Sequence, residues 1–256
     1  MVLEFREVQL PSGFKLAYYE ELPSTQDAAI ELVRSGDRST MALITEFQTA
    51  GRGRSGSPWL APAGSSLLVS YILRSTRLRH EDMPKLSFVA AVAAAEAIEQ
   101  VAGVEIGIKW PNDLLIGGRK VAGLLIESVA DPLGAPVAVV GIGVNVTNMS
   151  FPPELVLEAT ALKLESAQRF EIADLEAALR TELYERFREL LRVGFAPALR
   201  GWRGRDCTAG MRFQTTAGGQ SVVGTAQGVS DTGGLQLRLD NDQTVEVVAA
   251  TSIKPE

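Results

Sequence analysis

Hydrophobic residues recur every three to four positions in three parts of the chain, and a glycine that would end a helix follows each part. The predicted helices are residues 25–35 before Gly36, residues 84–101 before Gly103, and residues 175–190 before Gly194. The second is rich in alanine, valine and leucine around its whole circumference, which predicts burial on most of its surface. Such a helix needs a sheet to cover.

Short apolar runs bounded by turn residues predict strands between and after the first two helices. The predicted strands are residues 41–47, 66–73, 104–109, 114–116, 120–128 and 136–146. Gly117-Gly118 and Asp131-Pro132-Leu133-Gly134 are hairpin turn signals, so the strands that they join are expected to be antiparallel neighbours. Helices combined with antiparallel strands indicate an α+β fold.

The C-terminal part of the chain has a different pattern. Leu235, Leu237 and Leu239 alternate with polar residues, and pairs of turn residues separate short runs. We therefore expect two domains, residues 1–203 and a small all-β unit of residues 204–256. About fifty residues of short strands bury too little surface to be robust alone, so this unit is expected to pack on the larger domain.

Composition and charge narrow the classes of function. The chain has 256 residues, 46% of them hydrophobic, which suits a globular protein with a substantial core. A net charge of −6 argues against a protein that mainly binds a nucleic-acid backbone, because that requires a basic face. One cysteine, Cys207, and one histidine, His80, leave no basis for a zinc site or a catalytic triad.

The same features indicate a compartment. The N-terminal residues lack the apolar stretch of a signal peptide, and no later run approaches the ~20 apolar residues of a membrane span. A single cysteine cannot form an internal disulfide, which fits a reducing environment. We expect a cytoplasmic protein that does not contact a membrane.

A loop rich in glycine and arginine, residues 48–59, lies between two predicted strands. Its glycines free the backbone to turn and to offer N–H groups, and Arg52 and Arg54 add fixed positive charge, so the loop suits a carboxylate or phosphate. A solvated flexible connection is an equally good interpretation of this composition alone. Trp59 offers an aromatic face for a base, although tryptophan more often serves packing.

A second group of polar residues follows the strand at 104–109. Lys109-Trp110-Pro111-Asn112-Asp113 reads as a turn, where Asn and Asp often bond only their own backbone. Lys120 precedes an apolar strand, so its ammonium lies near buried surface and needs a partner, which a bound anion would provide. Gly141 and Gly143 interrupt a strand, which indicates close approach of a ligand or, equally, a bulge.

Taken together and in order, these motifs resemble the biotin protein ligase family. The matching residues are Gly51-Arg52-Gly53-Arg54 with Gly56 and Trp59, Lys109-Trp110-Pro111-Asn112-Asp113, Lys120 with Gly123, Gly141-Ile142-Gly143-Val144-Asn145 and, near the C-terminus, Asp231-Thr232-Gly233-Gly234-Leu235. The resemblance implies a catalytic domain of the class II synthetase and biotin–lipoate ligase type, with a mixed, largely antiparallel sheet, followed by a small SH3-like β-barrel. It also implies ATP with Mg²⁺ and biotin as substrates, and a homodimer.

The resemblance assigns roles residue by residue. The biotin-binding residues that it implies are Ser24, Thr25, Gln26, Gln48, Arg52, Gly53, Arg54, Lys120, Gly123 and Gly143. The nucleotide-binding residues are Arg54, Trp59, Asn112, Asp113, Lys120 and Asn145. Lys120, Arg52 and Arg54 would be catalytic, because they offset the repulsion between two anions, and Asp113 would contact Mg²⁺.

The chain departs from the family pattern at two places. Ser55 and Ser57 stand where the family often has basic residues, which predicts weaker nucleotide binding. Only about twenty residues precede Ser24, too few for a DNA-binding module of three helices, so regulation through DNA is not expected.

The implied activity is ATP-dependent formation of biotinyl-adenylate and transfer of biotin to a lysine of the biotin carboxyl carrier protein of acetyl-CoA carboxylase. A lipoate protein ligase is the nearest alternative, and the two motifs Gly-Arg-Gly-Arg and Lys-Trp-Pro-Asn-Asp together disfavour it. A non-enzymatic biotin-binding or nucleic-acid-binding module is a third interpretation, which the acidic net charge opposes.

Overall fold

A computed structural model describes residues 4–10, 12–153, 155–217, 220–248 and 253–255. Eight strands form one mixed sheet: β1 (Glu4–Gln9), β2 (Lys15–Leu22), β3 (Thr40–Gln48), β4 (Ser66–Arg74), β5 (Gly107–Lys109), β6 (Asp113–Ile116), β7 (Arg119–Ala130) and β8 (Pro136–Asn145). Their order in space is β1-β2-β3-β4-β8-β7-β6-β5. The β2–β3 pair is parallel and the other pairs are antiparallel, so the sheet is largely antiparallel, as predicted.

Helices cover both faces of this sheet. They are α1 (Thr25–Ser35), α2 (Met83–Ala102), α3 (Leu162–Glu165), α4 (Ile172–Val193) and α5 (Ala196–Arg203). The hydroxyl of Ser24 caps α1 by accepting from the backbone N–H of Asp27 at 3.3 Å, and Gly36 ends it at φ 86°. The three long helices predicted from hydrophobic spacing are confirmed.

Strand β4 is buried on both faces, and its side chains point alternately to the α2–α4 face and to the α1 face of the sheet. Leu67, Val69, Tyr71 and Leu73 join the core cluster that contains α2 and α4, whereas Ile72 packs with α1 in a second cluster. Side chains two residues apart share a face of a strand, so Ser70 lies on the α1 face with Ile72. The same alternation places Gly123 and Glu127 of β7 on that face.

The C-terminal part of the described chain forms a second, five-stranded sheet. Its strands are β9 (Arg212–Ala217), β10 (Gln220–Val229), β11 (Leu235–Leu239), β12 (Thr244–Val247) and β13 (Ile253–Pro255), in the order β12-β11-β10-β9-β13 with antiparallel pairing throughout. It packs on the first unit: the indole N–H of Trp110 donates to the Gly233 carbonyl at 3.2 Å, and Arg203 donates to the Val229 carbonyl at 2.8 Å. The predicted packing of the all-β tail is confirmed.

Several parts of the fold were not predicted. Strands β1 and β2 and helices α3 and α5 lie outside the predicted set, and the strand expected at 104–109 is confined to Gly107–Lys109. In β2 the buried positions Leu16 and Ala17 are adjacent, so buried and exposed residues do not alternate as they do in a half-buried strand. Within the described residues, no helix combines the length and the apolarity needed to cross a membrane.

Candidate functional site

One cavity of about 370 Å³ lies on the α1 face of the large sheet, under the loop that connects β3 and β4. It brings together nearly all of the residues that the sequence singled out. The predicted residues in its wall are Ser24, Thr25, Gln26, Gln48, Arg52, Gly53, Arg54, Trp59, Asn112, Asp113, Lys120, Gly123 and Gly143. Residues separated by more than a hundred positions in sequence therefore form a single site.

The inner end of the cavity is a closed network of polar side chains at the N-terminus of α1. The Gln48 side-chain carbonyl accepts from the backbone N–H of Thr25 at 2.8 Å and from its hydroxyl at 3.1 Å. Ser70 Oγ lies 2.9 Å from Thr25 Oγ1 and 3.0 Å from Gln26 Oε1, and the Gln26 amide donates to the Val139 carbonyl at 3.2 Å. Because these bonds fix the amides, the donors and acceptors facing the cavity have set orientations.

Ser70 was missed at the sequence level. It is fully buried in β4, between apolar neighbours, and it also lines the cavity. The available signal was a hydroxyl inside an otherwise apolar strand, where a polar group needs a partner. That partner is the start of α1, which the sequence could not place over β4.

Two glycines on neighbouring strands form the floor. Gly123 of β7 and Gly143 of β8 are directly opposite in the strand register. The indole of Trp59 lies on them: a Cβ added at Gly143 would be 2.6 Å from Trp59 Cε2, and one added at Gly123 would be 3.1 Å from Cζ3. The Trp59 indole nitrogen is buried without a hydrogen-bond partner among the described residues. The strand glycines thus allow the close approach of the Trp59 indole, and the pairing of β7 with β8 is regular from Ala122 to Ala130.

The loop over the cavity is a small hairpin. The backbone N–H of Trp59 donates to the Gly51 carbonyl at 2.9 Å, and that of Gly53 donates to the Ser57 carbonyl at 2.7 Å. A short 3₁₀ turn, Arg54–Gly56, forms its tip. A Cβ at Gly51 would lie 2.7 Å from the backbone oxygen of Trp59, so only glycine allows the two arms to meet. The structure therefore favours a defined turn over a flexible connection.

The mouth of the cavity is strongly basic. Arg52, Arg54, Lys109 and Lys120 line it, and Asp113 is the one carboxylate among the described wall residues. Lys120 Nζ lies 2.6 Å from Asp113 Oδ1 and 5.8 Å from the centre of the Trp59 ring. Asp27 and Glu127, outside the wall, pair with Arg52, and the positive charge of Arg54, Lys109 and Lys120 beside the single carboxylate of Asp113 attracts anionic ligands.

The charge of Arg54 is partly desolvated. Burial lowers the pKa of its guanidinium, and the nearby carboxylate of Asp113 acts in the opposite direction. An arginine remains charged under such a shift, so its electric field acts in a region with little water. Arg54 is therefore well placed to interact with a carboxylate or phosphate inside the cavity.

Asn112 and Asn145 differ in position. The Asn112 amide donates to the Leu124 carbonyl at 2.7 Å, which ties the wall to β7. Asn145 is buried at the end of β8 and donates to the Thr160 carbonyl at 3.1 Å, outside the residues that line the cavity. Its nucleotide-binding role stays a prediction.

The donor set fits a magnesium ion that arrives with a nucleotide. Within the described residues, no group of three or more His, Cys, Asp or Glu could hold a metal by itself. Mg²⁺ commonly keeps several waters and uses one or two carboxylates together with substrate phosphates. Asp113 at the mouth of the cavity matches that requirement, because it would supply a single carboxylate oxygen.

Comparison with known proteins identified two family models. The biotin/lipoate A/B protein ligase family matches residues 18–146, and the biotin protein ligase C-terminal domain matches residues 212–251. The chain is 33% identical to the bifunctional ligase/repressor BirA of Bacillus subtilis, over 94% of this chain and 74% of that protein. It is also 33% identical to the biotin–[acetyl-CoA-carboxylase] ligase of Mycobacterium tuberculosis, over 89% of this chain and 83% of that protein.

A solved structure has a similar fold. The biotin protein ligase from Aquifex aeolicus in complex with biotin and ATP superposes with a TM-score of 0.80. The match covers 94% of this chain and 99% of that chain at 24% identity, so it bears on the fold alone.

Proposed function

The chain belongs to the biotin/lipoate A/B protein ligase family, and from that premise we propose that it is a biotin–[acetyl-CoA-carboxylase] ligase. In this reaction biotin is activated with MgATP as biotinyl-5′-AMP and transferred to a lysine of a carrier protein. Matching relatives with that name support the choice, as do both family models. The acceptor that we propose is the biotin carboxyl carrier protein of acetyl-CoA carboxylase.

The observation that carries the proposal is the composition of the cavity on the α1 face of the sheet. Its wall combines a polar network on α1 and β4, apolar residues with two strand glycines, and four cations. Biotin has matching parts: a polar ureido ring, an apolar ring and chain, and a carboxylate. ATP would then bring its phosphates to the cations that also surround that carboxylate.

The first step is adenylation. An oxygen of the biotin carboxylate attacks the α-phosphorus of ATP, the bond from that phosphorus to the bridging oxygen breaks, and pyrophosphate leaves. Both reactants are anions, so we assign Lys120, Arg52 and Arg54 the task of offsetting their repulsion and the charge that grows in the transition state. Magnesium arrives with ATP as part of the substrate, with Asp113 as its protein ligand.

The second step is transfer. The neutral amine of the carrier lysine attacks the carbonyl of the mixed anhydride, AMP leaves, and the new amide nitrogen loses a proton. Until then the anhydride must be kept from water, and the hairpin 51–59 lies across the cavity where it would exclude solvent. We assign Trp59, Asn112 and Asn145 to the adenylate side.

Several further features belong to the same proposal. The catalytic domain is residues 1–203, and residues 204–256 form the C-terminal SH3-like unit. The protein acts in the cytoplasm, where ATP and carrier proteins meet, as a homodimer and without binding DNA. A lipoate ligase shares the family, so the acid that is activated needs a direct test.

Exchange of radiolabelled pyrophosphate into ATP provides that test. We expect exchange that depends on biotin and on magnesium, and that lipoate at the same concentration neither supports nor inhibits. Exchange supported by lipoate but not by biotin would move the protein to the lipoate branch. Tight biotin binding with no exchange under any condition would favour a non-enzymatic module instead.

Ser70 provides a finer prediction about the polar network. Replacing Ser70 with alanine removes the hydroxyl that links Thr25 to Gln26, so each of these side chains loses one of the hydrogen bonds that orient it. The expected result is a roughly three- to tenfold higher KM for biotin at nearly constant kcat, the effect of losing about one hydrogen bond in uniform binding. Steady-state exchange kinetics measure it, and Ser75→Ala, on the loop that follows β4, is the control. An unchanged KM would remove Ser70 from the site.

A further inference from the structure

Arg52 lines the cavity, and two carboxylates outside the cavity wall hold its guanidinium. Its Nη2 lies 2.6 Å from Asp27 Oδ1 and 2.9 Å from Glu127 Oε2. Desolvation is the largest single effect and lowers the pKa of Arg52, but the charges and hydrogen bonds of Glu127 and Asp27 together outweigh it and raise that pKa above the ordinary arginine value. Neither carboxylate lines the cavity, so their effect on any ligand passes through Arg52.

These three residues join elements that are otherwise separate. Asp27 stands in the first turn of α1, Glu127 lies on β7, and Arg52 starts the hairpin 51–59. Arg52 also pairs with Pro58 in an isolated antiparallel bridge, so fixing Arg52 fixes the stem of the hairpin. We call Asp27, Arg52 and Glu127 the acidic clasp.

The second arm of the hairpin has an anchor of its own, the side chain of Trp59. The Trp59 indole rests on Gly143 and Gly123, while the clasp holds the opposite arm against α1 and β7. Gly53 and Arg54 lie between the two anchors. If the clasp were opened, the hairpin would lose the side-chain contacts that tie its first arm to α1 and β7, and that arm could lift from the cavity.

We propose that Asp27 and Glu127 are positioning residues that hold the hairpin closed through Arg52 and thereby set how long the reactive adenylate stays bound. The inference rests on the proposed function, because it needs an adenylate to retain. It gives Arg52 a role in holding the loop in addition to the role proposed for it in adenylation, while the half-buried guanidinium of Arg54 serves the substrate. All three clasp side chains are partly exposed, so the clasp is expected to be weakened by salt.

The test compares Asp27→Asn, Glu127→Gln and the double variant with the wild-type protein. Each enzyme is loaded with labelled biotin and MgATP, separated from free ligand, and chased with unlabelled biotin while released biotinyl-AMP is measured. Release is expected to be roughly threefold faster in each single variant and about tenfold faster in the double variant, the range for exposed ion pairs. Less biotin should reach the carrier per ATP consumed.

Two controls separate positioning from general damage. Glu31→Gln removes an exposed carboxylate from the same helix without touching the clasp, and it should release the adenylate at the wild-type rate. Raising the salt concentration should speed release from the wild-type protein but not from the double variant. Thermal unfolding of each variant checks that the fold is intact, and either single variant suffices if the double variant does not fold.

Other outcomes would overturn the inference. Wild-type release rates in the double variant would show that the clasp does not retain the adenylate. Tighter biotin binding without faster release would show that the carboxylates compete with the ligand for Arg52. Absence of biotin-dependent exchange in the wild-type protein is a different result, because it removes the proposed function itself.

Discussion

Replacing Lys120 with alanine is expected to slow biotin-dependent exchange of pyrophosphate into ATP by about a hundredfold to a thousandfold, the loss seen when a fixed electrostatic donor is removed. Lys120 contacts both Asp113 and the glycine floor of the cavity. Its Nζ lies 2.6 Å from Asp113 Oδ1, and its side chain passes over Gly123. Without it, the biotin carboxylate and the α-phosphate approach each other with one charge fewer to offset their repulsion.

The loss should fall on adenylation and not on folding. Lys120 is partly exposed, and an ion pair of this kind contributes about 0–1 kcal/mol to stability. Lys163→Ala, at an exposed lysine of α3 outside the cavity, is the matched control and should keep full activity. Exchange in Lys120→Ala that stays within about threefold of the wild-type rate would contradict the assignment.

Replacing Gly143 with alanine is expected to raise the KM for biotin roughly 10- to 100-fold, a loss of about 1.4–2.8 kcal/mol of binding free energy, because the added methyl displaces Trp59 towards the ligand. The new methyl carbon would lie 2.6 Å from Trp59 Cε2. It cannot withdraw, because β8 pairs with β4 on one side and with β7 on the other. The indole must therefore move, and the floor under the ligand rises.

Gly204→Ala is the matched control for this substitution. Gly204 has φ −65°, and its added Cβ would meet backbone atoms only at 3.6 Å and 3.7 Å, which is ordinary contact. We expect that variant to bind biotin normally in isothermal titration, whereas Gly143→Ala binds weakly while its melting temperature stays close to the wild-type value. Wild-type biotin affinity in Gly143→Ala would mean that this glycine does not form the floor.

The fold was largely predictable in segments whose hydrophobic residues follow a single helical or strand period. Hydrophobic spacing and a terminal glycine located α1, α2 and α4, and turn residues located the β6–β7 and β7–β8 hairpins. Strand β2 has no such period, because its buried residues are adjacent and its partner β3 is parallel. Local pattern cannot reveal a pairing that depends on the crossover helix between them.

The site divides in a similar way. Glycine within a strand at 123 and 143 correctly indicated close approach, because a missing side chain has a local meaning. The roles of Ser70 and Glu127 depend on α1 lying across β4 and β7, a long-range arrangement that spacing along the chain does not contain. The alternation of side chains along β4 and β7 predicts which face of the strand Ser70 and Glu127 lie on, but it does not predict which helix covers that face.

Arg52 shows the limit of reasoning from charge alone. Its place between two glycines predicts an anion-binding cation, yet in the folded chain two carboxylates already hold it. The sequence contains both acids without any sign that they converge, since they lie 25 and 75 positions away. The folded geometry thus adds a role in holding the loop to the role in anion binding that the sequence predicts for Arg52.

Incorporation of labelled biotin into a purified biotin carboxyl carrier domain, with and without MgATP, tests the central claim most directly. The account predicts incorporation that requires both ATP and the carrier lysine, with AMP and pyrophosphate released in equal amounts. A carrier that stays unlabelled while the same protein preparation activates lipoate, or binds biotin without consuming ATP, would contradict it.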